Sequence, residues 1–263
     1  MNFNLRVKGF SLQQTLLSGQ SFRFDEIAAN HYLVFAWNNV VEVEQTGDEL
    51  FFKNSTCHPE FWHNYFDLNY NYSNLLCGFS GDSILEIVRG FCGGIRILKQ
   101  NPFEVLICFL LSSCNNIPRI KKIVSVLCRN FGTQLSCGFA FPSPQQLEHC
   151  NLNDFATLKA GFRSAYLIDA IRNVCCGSLD LSKLSSLSVD EARKKLMNIK
   201  GVGKKVADCV LLFAYHKFEV FPIDVWVKKV LQQYYQSGLS SQFLSCPGFA
   251  QQLIYYSKRS GII

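Results

Sequence analysis

The stretch IKGVGKKVADCVLLFAYHKFEVFPIDVW, residues 199–226, decides the fold of the second half of the chain. Gly201 and Gly203 stand between LMNIK, which predicts a helix end, and KKVADCVLLFAY, which predicts a helix start. A helix start exposes unpaired N–H groups and the positive end of the helix dipole, so a tight Gly-x-Gly turn there can bind a backbone phosphate. The pattern indicates a helix-hairpin-helix, although the tripeptide alone is more typical of a turn that merely packs two helices.

Composition places the chain among compact globular proteins. Of its 263 residues 48% are hydrophobic and 17% charged, and the longest apolar runs, such as VLICFLL, have seven residues where about 20 would cross a bilayer. No signal-peptide core follows the first residue, so we expect an intracellular soluble protein. The net charge of +6 suits a polyanionic partner without requiring one.

The twelve cysteines predict free thiols rather than a disulfide framework or a metal site. They are scattered through apolar helical patterns, and no two have the C-x2-C spacing of a zinc site or the clustered spacing of an iron–sulfur site. We therefore expect no metal and no cofactor. The cysteine content favours a eukaryotic nucleus as the location, with the cytoplasm as the alternative in a prokaryote.

The hydrophobic periodicity predicts an α+β fold. HYLVFAW (31–37), VVEVEQ (40–45) and ELFFK (49–53) form an antiparallel meander, and from about residue 61 the pattern turns helical. The predicted division is a small N-terminal antiparallel β-sheet domain over 1–80 and an all-helical domain over 81–263, whose two lobes flank a cleft and which holds the helix-hairpin-helix at 189–215. The clearest helix is predicted in NNIPRIKKIVSVLCRNFG (115–132), where Pro118 fits the first turn, and further helices are predicted over 103–111, 162–176, 189–198, 204–215, 224–236 and 247–257.

The window from LMNIK to PIDVW resembles the helix-hairpin-helix, Gly/Pro-rich loop and aspartate motif of base-excision DNA glycosylases, and within them it is similar to the 8-oxoguanine DNA glycosylases. SGQSFRF (18–24), NPFEVLICFLLSSCNNIPRI (101–120), KAGFRSAYL (159–167) and GFAQQLIYY (248–256) resemble the same family in the same order. The resemblance implies excision of 8-oxoguanine, preferably opposite cytosine, through a lysine Schiff base with abasic-site β-lyase activity. It also implies double-stranded DNA containing 8-oxoguanine as partner, no membrane, no cofactor and a monomer.

The resemblance places the catalytic pair at Lys205 and Asp224. Lys205 stands directly before V-A-D-C, and helix geometry gives it a face with Cys209, whereas Lys204 is an i,i+4 partner for Asp208. A lysine amine attacks a sugar carbon only when it is unprotonated. Asp224 is an N-cap candidate whose carboxylate could also stabilise positive charge on the deoxyribose.

Four residues match positions that contact the damaged base. Gly19 matches the glycine whose carbonyl accepts from N7–H, a proton that 8-oxoguanine has and guanine lacks. Gln251 matches the glutamine that reads the Watson–Crick edge, and Cys209 and Tyr255 fall where the family sandwiches the base. Taken singly, Gly19 could be a turn glycine, and Cys209 or Tyr255 a core residue.

Other matches concern the DNA around the lesion. Phe162 matches the family's aromatic wedge, and Arg163 and Arg119 match arginines at the orphaned cytosine. Singly, Phe162 could be a core aromatic and Arg119 a solvated helix residue. Gly201 and Gly203 would grip the phosphate backbone.

Three positions depart from the family pattern. Cys114 stands where an asparagine usually fills the vacated base stack, so that role either moves to Asn115 or is weakened. Trp226 replaces a histidine among the DNA contacts, and Tyr255 replaces a phenylalanine in the base pocket. Two alternatives stay open: a glycosylase of the same fold for another damaged base, and a non-catalytic DNA-binding module.

Overall fold

In the computed structural model, which describes Met1–Ile263, five strands form one antiparallel sheet in the order β1-β5-β4-β3-β2. Their bounds are β1 Phe3–Arg6, β2 Phe24–Ala28, β3 His31–Ala36, β4 Asn39–Thr46 and β5 Glu49–Lys53. The predicted meander is confirmed as β3, β4 and β5. The two edge strands were not predicted: β1 alternates apolar and polar residues over only four positions, and β2 shows little apolar alternation.

The alternation in β4 decides which face of the sheet is buried. Val41 and Val43 are buried, whereas Glu42 and Glu44 point to the outer face, as period-two geometry predicts. There Glu42 accepts from His31 at 2.8 Å and Glu44 pairs with Lys53 at 3.1 Å. The sheet is therefore half buried, with its apolar face toward the rest of the chain.

Thirteen α-helices make up most of the remaining chain. They are α1 Leu12–Leu17, α2 Pro59–Tyr65, α3 Tyr72–Cys77, α4 Ser83–Cys92, α5 Pro102–Leu111, α6 Ile117–Phe131, α7 Pro144–Leu147, α8 Arg163–Cys175, α9 Val189–Met197, α10 Lys204–Tyr215, α11 Val225–Tyr234, α12 Ser241–Ser245 and α13 Pro247–Arg259. Every helix that the sequence predicts is present within two residues of its expected ends. Two 3-10 turns lie at Ala156–Leu158 and Leu181–Ser186.

Local sequence sets several of these helix starts. Asn101 and Asn116 accept first-turn N–H groups of α5 and α6, and each helix has a proline in its first turn. The S-x-x-E spacing of Ser188 and Glu191 predicts a capping box, and the start of α9 confirms it. Helix α5 is buried from Phe103 onward, which explains why its sequence is apolar on every face.

Two hydrophobic clusters form the interior. The larger joins the helices around α5, and the smaller lies under the sheet, against α1 and Trp62. Phe22 and Tyr72, from the N-terminal part, pack in the larger cluster, while Leu98 packs in the smaller one. Because the clusters interlock in this way, a domain boundary at residue 80 stays a prediction.

All twelve cysteines carry free thiols, of which five are buried and four exposed. None of the helices combines the length and the hydropathy that spanning a bilayer would need.

Candidate active site

A cavity of about 670 Å³ opens between the α5–α6 connection, the turn after α1, and helices α10, α11 and α13. It brings together nine of the predicted site residues: Gly19, Cys114, Asn115, Lys205, Cys209, Asp224, Trp226, Gln251 and Tyr255. The other five, Arg119, Phe162, Arg163, Gly201 and Gly203, do not line this cavity. Segments far apart in the sequence therefore converge on one concave site.

Lys205 reaches the cavity from the first turn of α10. Its Nζ lies 3.4 Å from the Ser112 hydroxyl and 5.1 Å from the centroid of the Phe109 ring. One turn later Cys209 is buried, and burial raises the pKa of its thiol to about 11, so the thiol stays neutral near pH 7. The amine therefore has one hydroxyl and an aromatic face beside it, and no carboxylate holds it in an ion pair.

Lys204 points away from the cavity and is exposed. The predicted pairing of Lys204 with Asp208 is wrong, because Asp208 is buried and accepts from Arg193 Nε at 2.6 Å. Arg193 also bonds Asp190 within α9, and its bond to Asp208 links α9 to α10 across the hairpin. The two adjacent lysines thus occupy different environments, and only Lys205 faces the cavity.

Asp224 caps α11 as the sequence predicts. One oxygen, Oδ1, accepts from the backbone N–H groups of Trp226 at 3.0 Å and Val227 at 2.9 Å. The other oxygen makes no hydrogen bond within the chain, and Asp224 is the only carboxylate that lines the cavity. Capping therefore fixes the side chain while leaving one oxygen free for charge stabilisation.

The turn at Gly19 is held from both sides by amide side chains. Gln252 Nε2 donates to the Ser18 carbonyl at 2.8 Å, and Gln100 Nε2 donates to the Gln20 carbonyl at 2.9 Å. Gly19 itself has φ +78°, in the left-handed region that favours glycine, and its carbonyl accepts no hydrogen bond in the structure. A free backbone acceptor is thus fixed at the cavity edge.

Gln251 presents an unsatisfied amide to the same cavity. The residue is only 5% exposed, and its Oε1 has no hydrogen-bond partner. A buried polar atom without a partner costs about 1–3 kcal/mol, so such atoms in a native protein call for an explanation. A bound group that donates a hydrogen bond to Gln251 would remove this cost.

Tyr255 and Arg259 close the cavity beside Gly19. A Cβ placed on Gly19 would lie 2.9 Å from Tyr255 Cε1 and 3.3 Å from Arg259 Nη1. The Arg259 guanidinium donates from Nη2 to the Leu17 carbonyl at 2.7 Å and from Nη1 to the Tyr255 hydroxyl at 3.4 Å. The ring and the cation are therefore packed directly against the Gly19 turn.

The connection from α5 to α6, residues 112–116, has two candidates for filling a vacated base stack. Asn115 turns back into the connection, where its Nδ2 donates to the Leu111 carbonyl at 3.0 Å and its Oδ1 accepts from Asn116 N–H at 3.0 Å. Cys114 is exposed and has φ +49°. The side chain of Cys114 is free, whereas the amide of Asn115 is already used to shape the connection.

Arg163 holds this connection in place. Its Nε donates to the Ser113 carbonyl and its Nη2 to the Cys114 carbonyl, both at 2.7 Å, while Nη1 donates to Ala160 at 3.1 Å. The residue is only 4% exposed, so its guanidinium faces the protein. Phe162 is 55% exposed, so the core-aromatic interpretation of that residue is wrong.

Arg119 lies beside Lys159, and Trp226 lies beside Lys229. The Arg119 guanidinium is exposed, donates to the Lys159 carbonyl at 3.2 Å, and contributes after burial to lowering the pKa of Arg163. Trp226 is half-buried at the cavity, with Lys229 Nζ 5.0 Å from its ring centroid. The Arg119 guanidinium and the Lys229 ammonium group beside Trp226 are both exposed, so both are available to a polyanion.

The hairpin between α9 and α10 is fixed by helix α8. Gly201 has φ +86°, and a Cβ there would lie 2.3 Å from the Tyr166 ring, so only glycine fits. Asp169 Oδ2 accepts from Lys200 N–H at 2.7 Å on the same side. Gly203 is the N-cap of α10 and supplies no side-chain cap, which leaves first-turn N–H groups for a phosphate oxygen.

Comparisons with known proteins agree with this geometry. Residues 2–106 match the family described as "8-oxoguanine DNA glycosylase, N-terminal domain". A similar solved structure is that of the Clostridium acetobutylicum 8-oxoguanine glycosylase/lyase in complex with double-stranded DNA containing cytosine opposite 8-oxoguanine. It is 33% identical to this chain with a TM-score of 0.91, and the match covers 100% of this chain and 99% of that one. The chain belongs to the 8-oxoguanine DNA glycosylase family.

Two further family relatives differ in how much of them the chain covers. The solved complex of MBOgg1 with a low-affinity DNA ligand is 35% identical with a TM-score of 0.92, covering 99% of this chain and 96% of that one. The N-glycosylase/DNA lyase of Saccharomyces cerevisiae is 35% identical over 167 residues, which is 57% of this chain and 44% of that protein. The chain thus spans less than half of that curated relative.

Sequence reasoning missed three residues that line this cavity. Ser112 beside the lysine and Gln252 behind the Gly19 turn gave no distinctive sequence signal. Arg259 could have been found, because it follows Gln251 and Tyr255 at intervals of four residues and so shares their helix face.

Proposed function

We propose that the protein is a bifunctional 8-oxoguanine DNA glycosylase and abasic-site lyase that acts on duplex DNA. The observation that carries this proposal is the cavity that joins a lysine, a free carboxylate oxygen and two unsatisfied acceptors. Lys205 and Asp224 supply the reacting amine and the charge stabiliser, and Gly19 and Gln251 supply the acceptors. Family membership supports the same assignment.

The acceptors match the donors of the damaged base. The Gly19 carbonyl would accept from N7–H, and normal guanine would oppose it with a lone pair, so a single backbone oxygen discriminates between the two bases. The unpartnered oxygen of Gln251 would accept from a donor on the Watson–Crick edge. Buried Cys209 and the Tyr255 ring would lie against the two faces of the base.

The reaction follows from the arrangement of the catalytic pair. The Lys205 amine, having lost a proton, forms a bond to C1′ while the C1′–N9 bond breaks and its electron pair leaves with the base. The free oxygen of Asp224 stabilises the positive charge that develops on the sugar. Ring opening gives a Schiff base on Lys205, and loss of a C2′ proton then expels the 3′ phosphate by β-elimination.

The DNA would be held on both sides of the cavity. First-turn N–H groups of α10 at the Gly203 cap would bind phosphate, and exposed Phe162 would enter the base stack beside the lesion. The exposed Arg119 guanidinium would read the orphaned cytosine, for which we expect a preference. Trp226 would contact the nucleotide or its phosphate.

Several finer assignments belong to the same proposal. The protein would work inside the cell wherever its DNA is, the nucleus in a eukaryote or the cytoplasm in a prokaryote. It would act as a monomer, without a cofactor, and apart from any membrane.

Borohydride trapping tests the proposal directly. Wild-type protein with a duplex carrying 8-oxoguanine opposite cytosine should give a covalent complex, Lys205→Gln should abolish it, and Lys204→Gln should keep it. The adjacent lysine is a matched control because it carries the same charge but faces away from the cavity. Trapping that survives Lys205→Gln and disappears with Lys204→Gln would refute the assignment of the nucleophile.

A further inference from the structure

Arg259 places a second cation at the cavity, on a different helix from Lys205. The residues that line the cavity include two cations, Lys205 on α10 and Arg259 on α13, and a single carboxylate, Asp224. Lys205 and Asp224 have roles at the sugar. Arg259 has none in the reaction as derived above, although a guanidinium is costly to hold beside an apolar pocket.

The guanidinium is fixed rather than loosely solvated. Nη2 donates to the Leu17 carbonyl at 2.7 Å, Nη1 lies 3.4 Å from the Tyr255 hydroxyl, and the guanidinium carbon is 5.6 Å from the Tyr255 ring centroid. These two contacts use two of the five N–H donors of an arginine. Donors are therefore left over, and no carboxylate neutralises the charge.

The guanidinium of Arg259 lies next to the Gly19 turn, and so near the N7 side of a base that this turn would bind. Nη1 lies 3.3 Å from where a Cβ on Gly19 would be, so the guanidinium adjoins the turn that carries the N7–H acceptor. In 8-oxoguanine the C8=O8 group is next to N7 in the same ring. A base whose N7–H meets the Gly19 carbonyl carries O8 on one side of N7 and O6 on the other, and the role inferred below requires O8 to be the oxygen beside Arg259.

The chemistry of base departure makes that edge important. When the C1′–N9 bond breaks, its electron pair stays on the base, and conjugation through C8 spreads the negative charge from N9 onto O8. The charge is larger in the transition state than in the bound substrate. A fixed cation beside O8 would therefore stabilise the transition state more than the bound lesion.

We propose that Arg259 is a further catalytic residue, whose guanidinium stabilises the negative charge that forms on the O8 side of the departing base. The inference rests on the proposed function, because it requires 8-oxoguanine in the cavity with N7–H toward Gly19. In this role Arg259 stabilises negative charge on the leaving base, whereas Asp224 stabilises positive charge on the sugar.

Single-turnover excision of 8-oxoguanine opposite cytosine, followed in parallel with strand cleavage at a preformed abasic site, tests this role. Arg259→Met keeps the length and removes the charge, and it should slow excision about 100-fold, the scale for losing one preorganised donor. Cleavage at the abasic site, where no base departs, should stay within about 2-fold of wild type because the sugar chemistry is untouched. Lesion-duplex affinity, measured in the Lys205→Gln background, should change much less than the rate.

Two further variants separate charge from structure. Arg259→Lys retains a cation and should recover about 10-fold of the rate lost in Arg259→Met, because the Coulomb attraction to the developing charge depends on the charge and its distance. Lys258→Met removes the neighbouring charge, which instead contacts Gln233 at the surface, and should leave both activities unchanged. Thermal unfolding of each variant confirms that it is folded.

Each outcome bears on one proposal. Excision that Arg259→Met leaves intact, or excision and abasic-site cleavage that fall together, would overturn the role of Arg259. Arg259→Lys that is as slow as Arg259→Met would also overturn it, because a role for charge predicts recovery. Wild-type protein that excises no 8-oxoguanine would instead overturn the proposed function.

Discussion

Replacing Gly19 by alanine tests the geometry of the base pocket most sharply. The left-handed backbone at φ +78° costs an alanine about 1–2 kcal/mol. In addition, the new Cβ would lie 2.9 Å from Tyr255 Cε1, closer than side-chain carbons approach in proteins, so the ring must move. The turn cannot yield instead, because Gln252 and Gln100 hold the carbonyls on both sides of it.

The expected result separates recognition of the base from chemistry at the sugar. A displacement of the pocket wall by about 1 Å can cost 10²-fold in rate, so single-turnover excision of 8-oxoguanine by Gly19→Ala should fall about 100-fold. Cleavage at a preformed abasic site should change by less than about 3-fold, because no base has to fit the pocket. The assay is gel separation of labelled duplexes carrying either lesion.

Gly47→Ala provides the matched control. Gly47 also has positive φ, at +57°, but a Cβ there meets nothing within 4 Å, and the residue lies in the turn between β4 and β5. Both variants should melt about 2–8 °C below wild type from the backbone cost alone, at 2–4 °C per kcal/mol for a chain of this size. Only Gly19→Ala should lose excision. Excision that both variants retain, or lose equally, would contradict the assignment of Gly19 to the base pocket.

Three further predictions concern the base opposite the lesion, the 112–116 connection and a buried histidine. Arg119→Ala should reduce the preference for cytosine opposite the lesion by about 1–3 kcal/mol, measured as excision rates opposite each of the four bases. Cys114→Asn should speed excision without affecting abasic-site cleavage, since asparagine tolerates φ +49° and can hydrogen-bond the orphaned base. If Cys114→Asn has no effect and Asn115→Ala is severely impaired, the residue that fills the vacated base stack is Asn115. Burial lowers the pKa of His216, so the unfolded chain binds a proton more readily and the free energy of unfolding should fall as pH drops below about 6.5. The His216→Asn variant should show a smaller fall, whereas His149→Asn, at an exposed position, should show the same fall as wild type.

Much of the fold could be predicted because its signals are local. The alternation in VVEVEQ and the cap at Ser188 each depend on neighbours within four residues, and both are confirmed. Strand β1 could not be predicted in this way. It is four residues long and owes its existence to pairing with β5, in which Phe3 lies opposite Phe52 some fifty positions away.

The candidate site, too, could be predicted from the sequence only in part. Family motifs located Lys205 and Asp224, and the cavity brings them together as expected. The partner of Asp208 was assigned wrongly because i,i+4 spacing favours Lys204, whereas tertiary packing places Arg193 of the preceding helix within 2.6 Å. Side-chain direction depends on what lies across the interface, and a linear pattern carries little information about that.

Helix α8 contacts both the 112–116 connection and the hairpin between α9 and α10, and these contacts explain why its beginning must be rigid. Arg163, in the first turn, donates to the Ser113 and Cys114 carbonyls and so fixes the connection that would fill the vacated stack. One turn further, Tyr166 packs against Gly201, and Asp169 then bonds the Lys200 N–H in the hairpin. One helix thereby fixes the distance between the hairpin, where a phosphate would bind, and the cavity, where a displaced base would lie. A change at Arg163 should therefore disturb the 112–116 connection even where no cytosine contact exists.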